Sequence, residues 1–337
     1  MIKFTENKDL KNYNTFNLSC IAEHFVEFDN IDEIREYLQN IHNKNDKYFV
    51  LGGGSNVLFS EEFKGIVFYS QILGIELISE NEEVVLLKVG SGVVWDYFVK
   101  FAVDNNYYGA ENLSLIPGTV GASAVQNIGA YGVEAKDIIE KVEYLDVETA
   151  ELKEITNKDC KFAYRDSIFK QELHNKIIIT NVYYRLQKQA NFKLDYGNLK
   201  DVLKQFDSID LKSVREAVIQ TREAKLPDTE KLGNAGSFFK NPIVDKFVLE
   251  KLQKQYPDIL FYSLENEKMK IPAGWLIDIA GWKDKGNDRV GVYQNQALVI
   301  INKGKALSGD IVRFYKEIQK DIFDKFGIEI EPEVIIF

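Results

Sequence analysis

Two stretches of the chain combine glycine with small polar residues more densely than a packed core requires. LGGGSNVLF (51–59) places Gly52, Gly53 and Gly54 straight after an apolar, strand-like run, with Ser55 and Asn56 following. Without a Cβ, glycine reaches positive φ and lets backbone come close to a ligand, so that successive amides can face phosphate oxygens. The string is neither GxGxxG nor a Walker-type lysine loop, so it supports neither standard nucleotide fingerprint, and a tight turn would also account for it. The second stretch, IPGTVGASAVQNIGAYGVE (116–134), interleaves Gly118, Gly121, Gly129 and Gly132 with small residues such as Ala122 and Ser123. It cannot fill a core by itself, and a surface loop would carry more charge. A close-fitting flat ligand explains it. Two such clusters fit a dinucleotide, with its pyrophosphate on backbone amides and its ring system against the second loop.

Other chemistry-bearing residues are sparse. Cys20 and Cys160 have no partner at metal-ligand spacing and read as small buried hydrophobes. His24, His42 and His174 are scattered in charged contexts, which argues against a histidine metal site or a Ser–His–Asp triad. By local sequence alone, Arg165 in AYRDS reads as a surface arginine paired with Asp166. Ser237 in GNAGSFFKNP reads as a turn hydroxyl, and Glu329, Glu331 and Glu333 as one charged strand face.

The elements that must position these residues follow from hydrophobic period. Ile31, Ile34, Leu38 and Ile41 predict a helix over 31–41, followed by strands at 48–52, 57–59 and 66–69. A β-branched run at 82–93 precedes a helix over 95–106 with Trp95, Phe98, Val99, Ala102 and Val103 on one face. Strands are expected at 142–149 and 177–187, then helices at 211–224 and 244–256 and a strand at 297–301. A long helix at 308–326 carries a core stripe of Ile311, Tyr315, Ile318, Ile322 and Phe326, and 328–337 reads as a terminal strand. The expected organisation is α+β, with lobes at 1–70 (together with the C-terminal strand) and 71–210 and a third domain at 211–337.

At 337 residues with 45% hydrophobic content, the chain can build several cores. The first residues are polar and of mixed charge, and no stretch nears the roughly 18 apolar residues of a membrane span. The expected protein is soluble and cytoplasmic, and its formal net charge of -10 argues against nucleic acid as partner.

With these residues in view, the chain resembles the UDP-N-acetylenolpyruvoylglucosamine reductases, type I form. The blocks LGGGSNVLF, GTVGASAVQNIGAYGVE, YRDSIFK (164–170), GNAGSFFKNP (233–242) and AGWLID (273–278) stand in family order, and matching runs from NTFNL (14–18) to EPEV (331–334). The resemblance implies a two-lobed FAD-binding module of the vanillyl-alcohol-oxidase type and a C-terminal α+β substrate-binding domain. The Gly-rich loop offers Ser55 and Asn56 where relatives with covalent flavin carry His or Cys, so FAD is expected to be noncovalent. NADPH is the implied co-substrate, a UDP-sugar the substrate, and the protein a monomer.

The implied reaction passes hydride from NADPH to FAD and then to C3 of the enolpyruvyl group. Charge is thereby pushed onto C2 and the carboxylate, giving an aci-carboxylate that needs positive charge nearby and then a proton at C2. By resemblance Arg165 stabilises that charge, Ser237 donates the proton, and Glu333 assists as the protonated acid. Tyr131, Tyr196, Lys225, Asn241 and Gln296 are the implied substrate contacts. FAD contacts are implied at Gly52, Gly53, Gly54, Ser55, Asn56, Ile116, Pro117, Gly118, Ala122, Ser123, Val125, Gly129, Arg165 and Arg222; no metal is expected. One departure is visible: Ile335 follows EPEV where the family motif often has a basic residue, so an added cationic contact there is unsupported. Two other readings are a flavin oxidoreductase that passes electrons to oxygen and a silent nucleotide-sugar binder.

Overall fold

The run IIITNVYYRLQ forms the strand Ile177–Gln187, the middle of a five-stranded sheet and buried over most of its length. It is flanked by antiparallel Ile139–Asp146 and Val84–Gly90, with Leu152–Thr156 and Ile75–Glu80 at the edges. A strand rich in Ile, Val and Tyr suits this central position because its branched and aromatic side chains pack on both faces of the pleat. Helix Trp95–Asp104 closes one face, with Trp95, Phe98, Val99, Ala102 and Val103 all buried as their spacing predicts. A four-stranded sheet lies beside it in order Lys3–Asp9, Ile21–Phe28, Phe63–Ser70, Tyr48–Leu51, its last two pairings parallel. Helix Ile31–Asn40 buries Ile34, Tyr37 and Leu38 on that sheet. The computed structural model describes residues 2–40, 47–60 and 62–337, so Ile41 and His42 lie outside the described residues.

Contacts gather the chain into two units interleaved in sequence. One comprises Met1–Lys8, Ile21–Gly53 and Phe63–Glu223, and the other Asp9–Cys20, Gly54–Glu62 and Ala224–Phe337. The second unit is built on a three-stranded sheet of Gly233–Ser237, Gln296–Asn302 and Val290–Tyr293, on which helices Ala273–Ile279 and Ser308–Phe326 pack. The predicted stripe on the long helix, Ile311 to Phe326, is buried in this core. A smaller sheet of Ile243–Asp245, Lys268–Lys270 and Tyr262–Ser263 flanks it.

Several expectations need correcting. The terminal strand is confined to Ile335–Ile336, which pairs in parallel with Val57–Leu58. Residues 331–333 pair instead with the segment after Ser237: Pro332 faces Phe239 in an isolated antiparallel bridge that does not use its missing N–H, closed by Lys240 N–H to Glu331 C=O and Glu333 N–H to Phe238 C=O. The strand expected to run to Thr149 stops at Asp146, whose carboxylate accepts the amides of Glu148 and Thr149 and turns the chain. The helix expected at 244–256 is Lys246–Gln253, preceded by a short strand. His24 is not in a solvent-like setting: its ring packs on Phe4 with centroids 5.3 Å apart, and its Nδ1 is buried. Both cysteines are buried, as their sequence context predicts.

Candidate functional site

In the first unit the two glycine clusters meet. A Cβ on Gly53 would lie 2.8 Å from the Gly118 Cα, and one on Gly52 would lie 3.0 Å from both the Ala122 Cβ and the Thr119 Oγ1. Backbone packed against backbone therefore accounts for part of the glycine requirement that the sequence reading assigned to a ligand. The segment carrying Ile116, exposed Pro117 and Gly118 is held from behind by the first turn of helix Trp95–Asp104. Trp95 donates its indole N–H to Leu113 C=O at 2.8 Å and its amide to Gly118 C=O at 3.0 Å. Asp96 accepts the Leu115 amide at 2.5 Å and both arms of the Arg215 guanidinium at 2.7 Å. Burial pulls the Asp96 carboxyl upward, but these bonds and the nearby Arg222 charge hold it below its ordinary value.

Arg165 occupies the third position of a tight turn in which Ala163 and Asp166 exchange both backbone hydrogen bonds, at 3.0 and 3.1 Å. Its φ is +55°, a left-handed conformation that costs a non-glycine residue about 1–2 kcal/mol. Buried Asn127 pins the turn, donating to Ala163 C=O at 2.8 Å while its oxygen accepts the Lys136 amide at 3.0 Å. From this turn the Arg165 guanidinium donates to Gly129 C=O at 2.8 Å and lies 5.2 Å from the Tyr164 ring centre.

Arg222 belongs to the same neighbourhood. Its Nε is buried without a hydrogen-bond partner. Burial lowers its pKa and the charge of Arg165 adds to that, while Tyr131 and Asp96 pull the other way. Burial likewise pushes the Tyr131 phenol upward against the field of Arg222. Tyr131 meets Tyr196 edge-to-face, with centroids 6.3 Å apart. Two guanidiniums close enough to repel, one with an orphaned buried N–H, form a donor set that fits an anionic group such as a phosphate or carboxylate.

In the second unit, strand Gly233–Ser237 carries a bulge between Asn234 and Ser237, with Gly236 at φ +66°. Asn234 fixes the bulge: its oxygen accepts the Gly236 amide at 3.0 Å and its nitrogen donates to Leu232 C=O at 2.8 Å. A bulge re-aims the side chain that follows it. Ser237 is accordingly exposed, while Phe238 and Phe239 turn into the core. Glu333 donates its amide to Phe238 C=O at 2.8 Å, and its own carbonyl accepts from Asn56 Nδ2 at 3.2 Å. Ser237, Glu333 and the Ser55–Asn56 loop are thus tied together. Glu333 is half-buried, whereas Glu329 and Glu331 are exposed.

The remaining candidates are spread more widely. Lys225 ends helix Leu211–Lys225 and is exposed; Asn295, one residue before Gln296, donates to Ala224 C=O at 3.2 Å. Asn241 accepts the Ala273 amide at 2.9 Å, a helix-capping task that the sequence reading missed. Ser123 is buried, donating to Val120 C=O at 2.7 Å and bonded to the Tyr184 hydroxyl at 2.8 Å, and the Val125 carbonyl accepts from Ser167. Gly54 takes φ +64°, and a Cβ there would strike the Tyr13 carbonyl. The residues missed altogether are Asn112, Asn127, Asn234 and the Asp96–Arg215 pair. Nothing in sequence separates a buried asparagine from one in an exposed turn.

Residues 227–337 match the family model for the UDP-N-acetylenolpyruvoylglucosamine reductase C-terminal domain, and residues 22–156 match an FAD binding domain. UDP-N-acetylenolpyruvoylglucosamine reductases of Bacteroides fragilis and Flavobacterium johnsoniae are each 44% identical to the chain. Their alignments cover 96% and 99% of it, and 97% and 99% of the relatives. The chain belongs to this reductase family. It is therefore an FAD-dependent oxidoreductase of peptidoglycan precursor synthesis, on an α+β fold with an FAD binding domain. The solved reductase of Thermus caldophilus has the same fold, with a TM-score of 0.69 at 20% identity over 100% of this chain and 99% of that one. Among the described residues no helix is long and apolar enough to cross a membrane.

Proposed function

We propose that this reductase uses NADPH, holds FAD without a covalent bond and acts in the cytoplasm as a monomer. In this reading 1–70 and 71–210 serve the flavin and 211–337 the UDP-sugar. FAD, when bound, supplies the hydride for C3 of the enolpyruvyl group. Arg165 stabilises the charge that develops on the substrate carboxylate, since a guanidinium stays ionised and matches a carboxylate fork. Its left-handed turn and Asn127 pin limit the reorganisation needed as that charge appears. Ser237 donates a proton to C2, and Glu333 assists in stabilising the intermediate. Arg222, with its orphaned N–H, and the small-residue loops at 52–56 and 116–123 hold the cofactor. Tyr131, Tyr196, Lys225, Asn241 and Gln296 contact the sugar nucleotide.

The observation that most supports this reading is the bond from the Glu333 amide to the carbonyl of Phe238, the residue after Ser237, which brings two expected catalytic residues near one another across almost a hundred positions of chain. Anaerobic stopped-flow kinetics test it. Ser237→Ala is expected to leave flavin reduction by NADPH largely intact and to collapse reduction of the sugar nucleotide; an equal fall in both half-reactions would overturn the proton-donor role.

A further inference from the structure

The loops bearing Tyr131 and Tyr196 are far apart in sequence, and one buried side chain joins them. Asn112 lies in the short 3-10 turn Glu111–Leu113 and is 1% exposed. Its amide nitrogen donates to Tyr131 C=O at 2.8 Å and to Lys193 C=O at 2.7 Å, so both donors are spent on the two loops. Its amide oxygen is buried without a partner. Burying an unsatisfied acceptor costs about 1–3 kcal/mol, so the residue is a poor choice for stability alone.

The platform under Asn112 is firm. Ser114 donates to Glu111 C=O at 2.6 Å, and the Trp95 indole holds Leu113. Each loop it grips turns through a left-handed glycine directly after its tyrosine, Gly132 at φ +81° and Gly197 at φ +63°. Phe192, Leu194 and Tyr131 pack on a small core that includes Leu199, Val214 and Val218, which supplies apolar contact but no fixed register. A polar tie supplies that register, because two hydrogen bonds from one planar amide fix distance and direction together.

We infer that Asn112 is a positioning residue for the reduction: its amide sets Tyr131 and Tyr196 edge-to-face for the sugar nucleotide. This rests on the proposed substrate-facing role of those tyrosines.

The test compares Asn112→Ala with Tyr196→Ala in the FAD-loaded enzyme. Asn112→Ala is expected to raise KM for UDP-N-acetylenolpyruvoylglucosamine by roughly tenfold, the scale of one lost hydrogen bond. Flavin reduction by NADPH should be unchanged, and amide hydrogen exchange over 191–198 should quicken before substrate is added. Should the alanine variant not fold, Asn112→Asp keeps the shape, removes both donors and carries the same expectations. An unchanged KM in the Asn112 variant alongside a raised one in Tyr196→Ala overturns the inference, as does flavin reduction falling in step with sugar reduction. Unchanged KM in Tyr196→Ala overturns the reading of that tyrosine, and the inference with it.

Discussion

Arg165 and Ser237 are presented by two different backbone devices. Each stands within two residues of backbone held by a buried asparagine, Ala163 by Asn127 in one unit and Gly236 by Asn234 in the other. In the arginine turn the left-handed residue is Arg165 itself, whereas in the serine bulge it is Gly236, and Ser237 keeps ordinary extended backbone. Strain thus falls on the functional residue in one region and on a glycine beside it in the other. The difference matches the tasks. A long guanidinium must be aimed along one direction, and over-determining its backbone narrows the arc it can sweep. A short hydroxyl needs only to be lifted out of the sheet, which a bulge achieves.

The largest expected effect comes from removing the aimed group. Arg165→Ala should cost about 3–4 kcal/mol of transition-state stabilisation in sugar reduction. Near-normal turnover would remove Arg165 from the mechanism and leave its strained turn unexplained. Asn127→Ala keeps the guanidinium but loosens its turn, taking one of two donors from the Ala163 carbonyl and the acceptor from the Lys136 amide. A stability loss of about 1–3 kcal/mol is expected by denaturant titration, with slower sugar reduction. Full activity at reduced stability would show that the pin serves only the fold. Gly236→Ala should be mildest. A Cβ there meets nothing within 4 Å, so only the left-handed φ is penalised, by about 1–2 kcal/mol. If its sugar half-reaction falls as far as in Ser237→Ala, the bulge is as tightly tuned as the arginine turn and the contrast fails.

Much of the fold was legible because hydrophobic period reports which face of an element is buried. The stripe on Ser308–Phe326 and the buried face of Trp95–Asp104 both follow that rule. The terminal segment misled for a related reason. Ile328 and Ile330 alternate with exposed glutamates as a strand would, but period says nothing of how far a partner strand extends, and 331–333 forms only an isolated bridge to Phe239. The glycine clusters were legible as special backbone, yet sequence could not distinguish close approach to a ligand from the approach of Gly53 to Gly118.

By itself the sequence determined which chemical groups are available: two guanidiniums, a hydroxyl and a carboxyl in recognisable blocks, with glycine wherever backbone had to pass close. It also determined the elements with a clear period, such as Trp95–Asp104 and Ser308–Phe326, since periodicity and β-branching are local properties. Only the tertiary structure decided that Asn112, Asn127 and Asn234 are pins rather than turn residues, and that the Glu333 amide bonds to Phe238, next to Ser237. The physical reason is that a side-chain amide has the same hydrogen-bonding capacity wherever it lies. What makes it a pin is the carbonyl that a distant part of the chain brings to it.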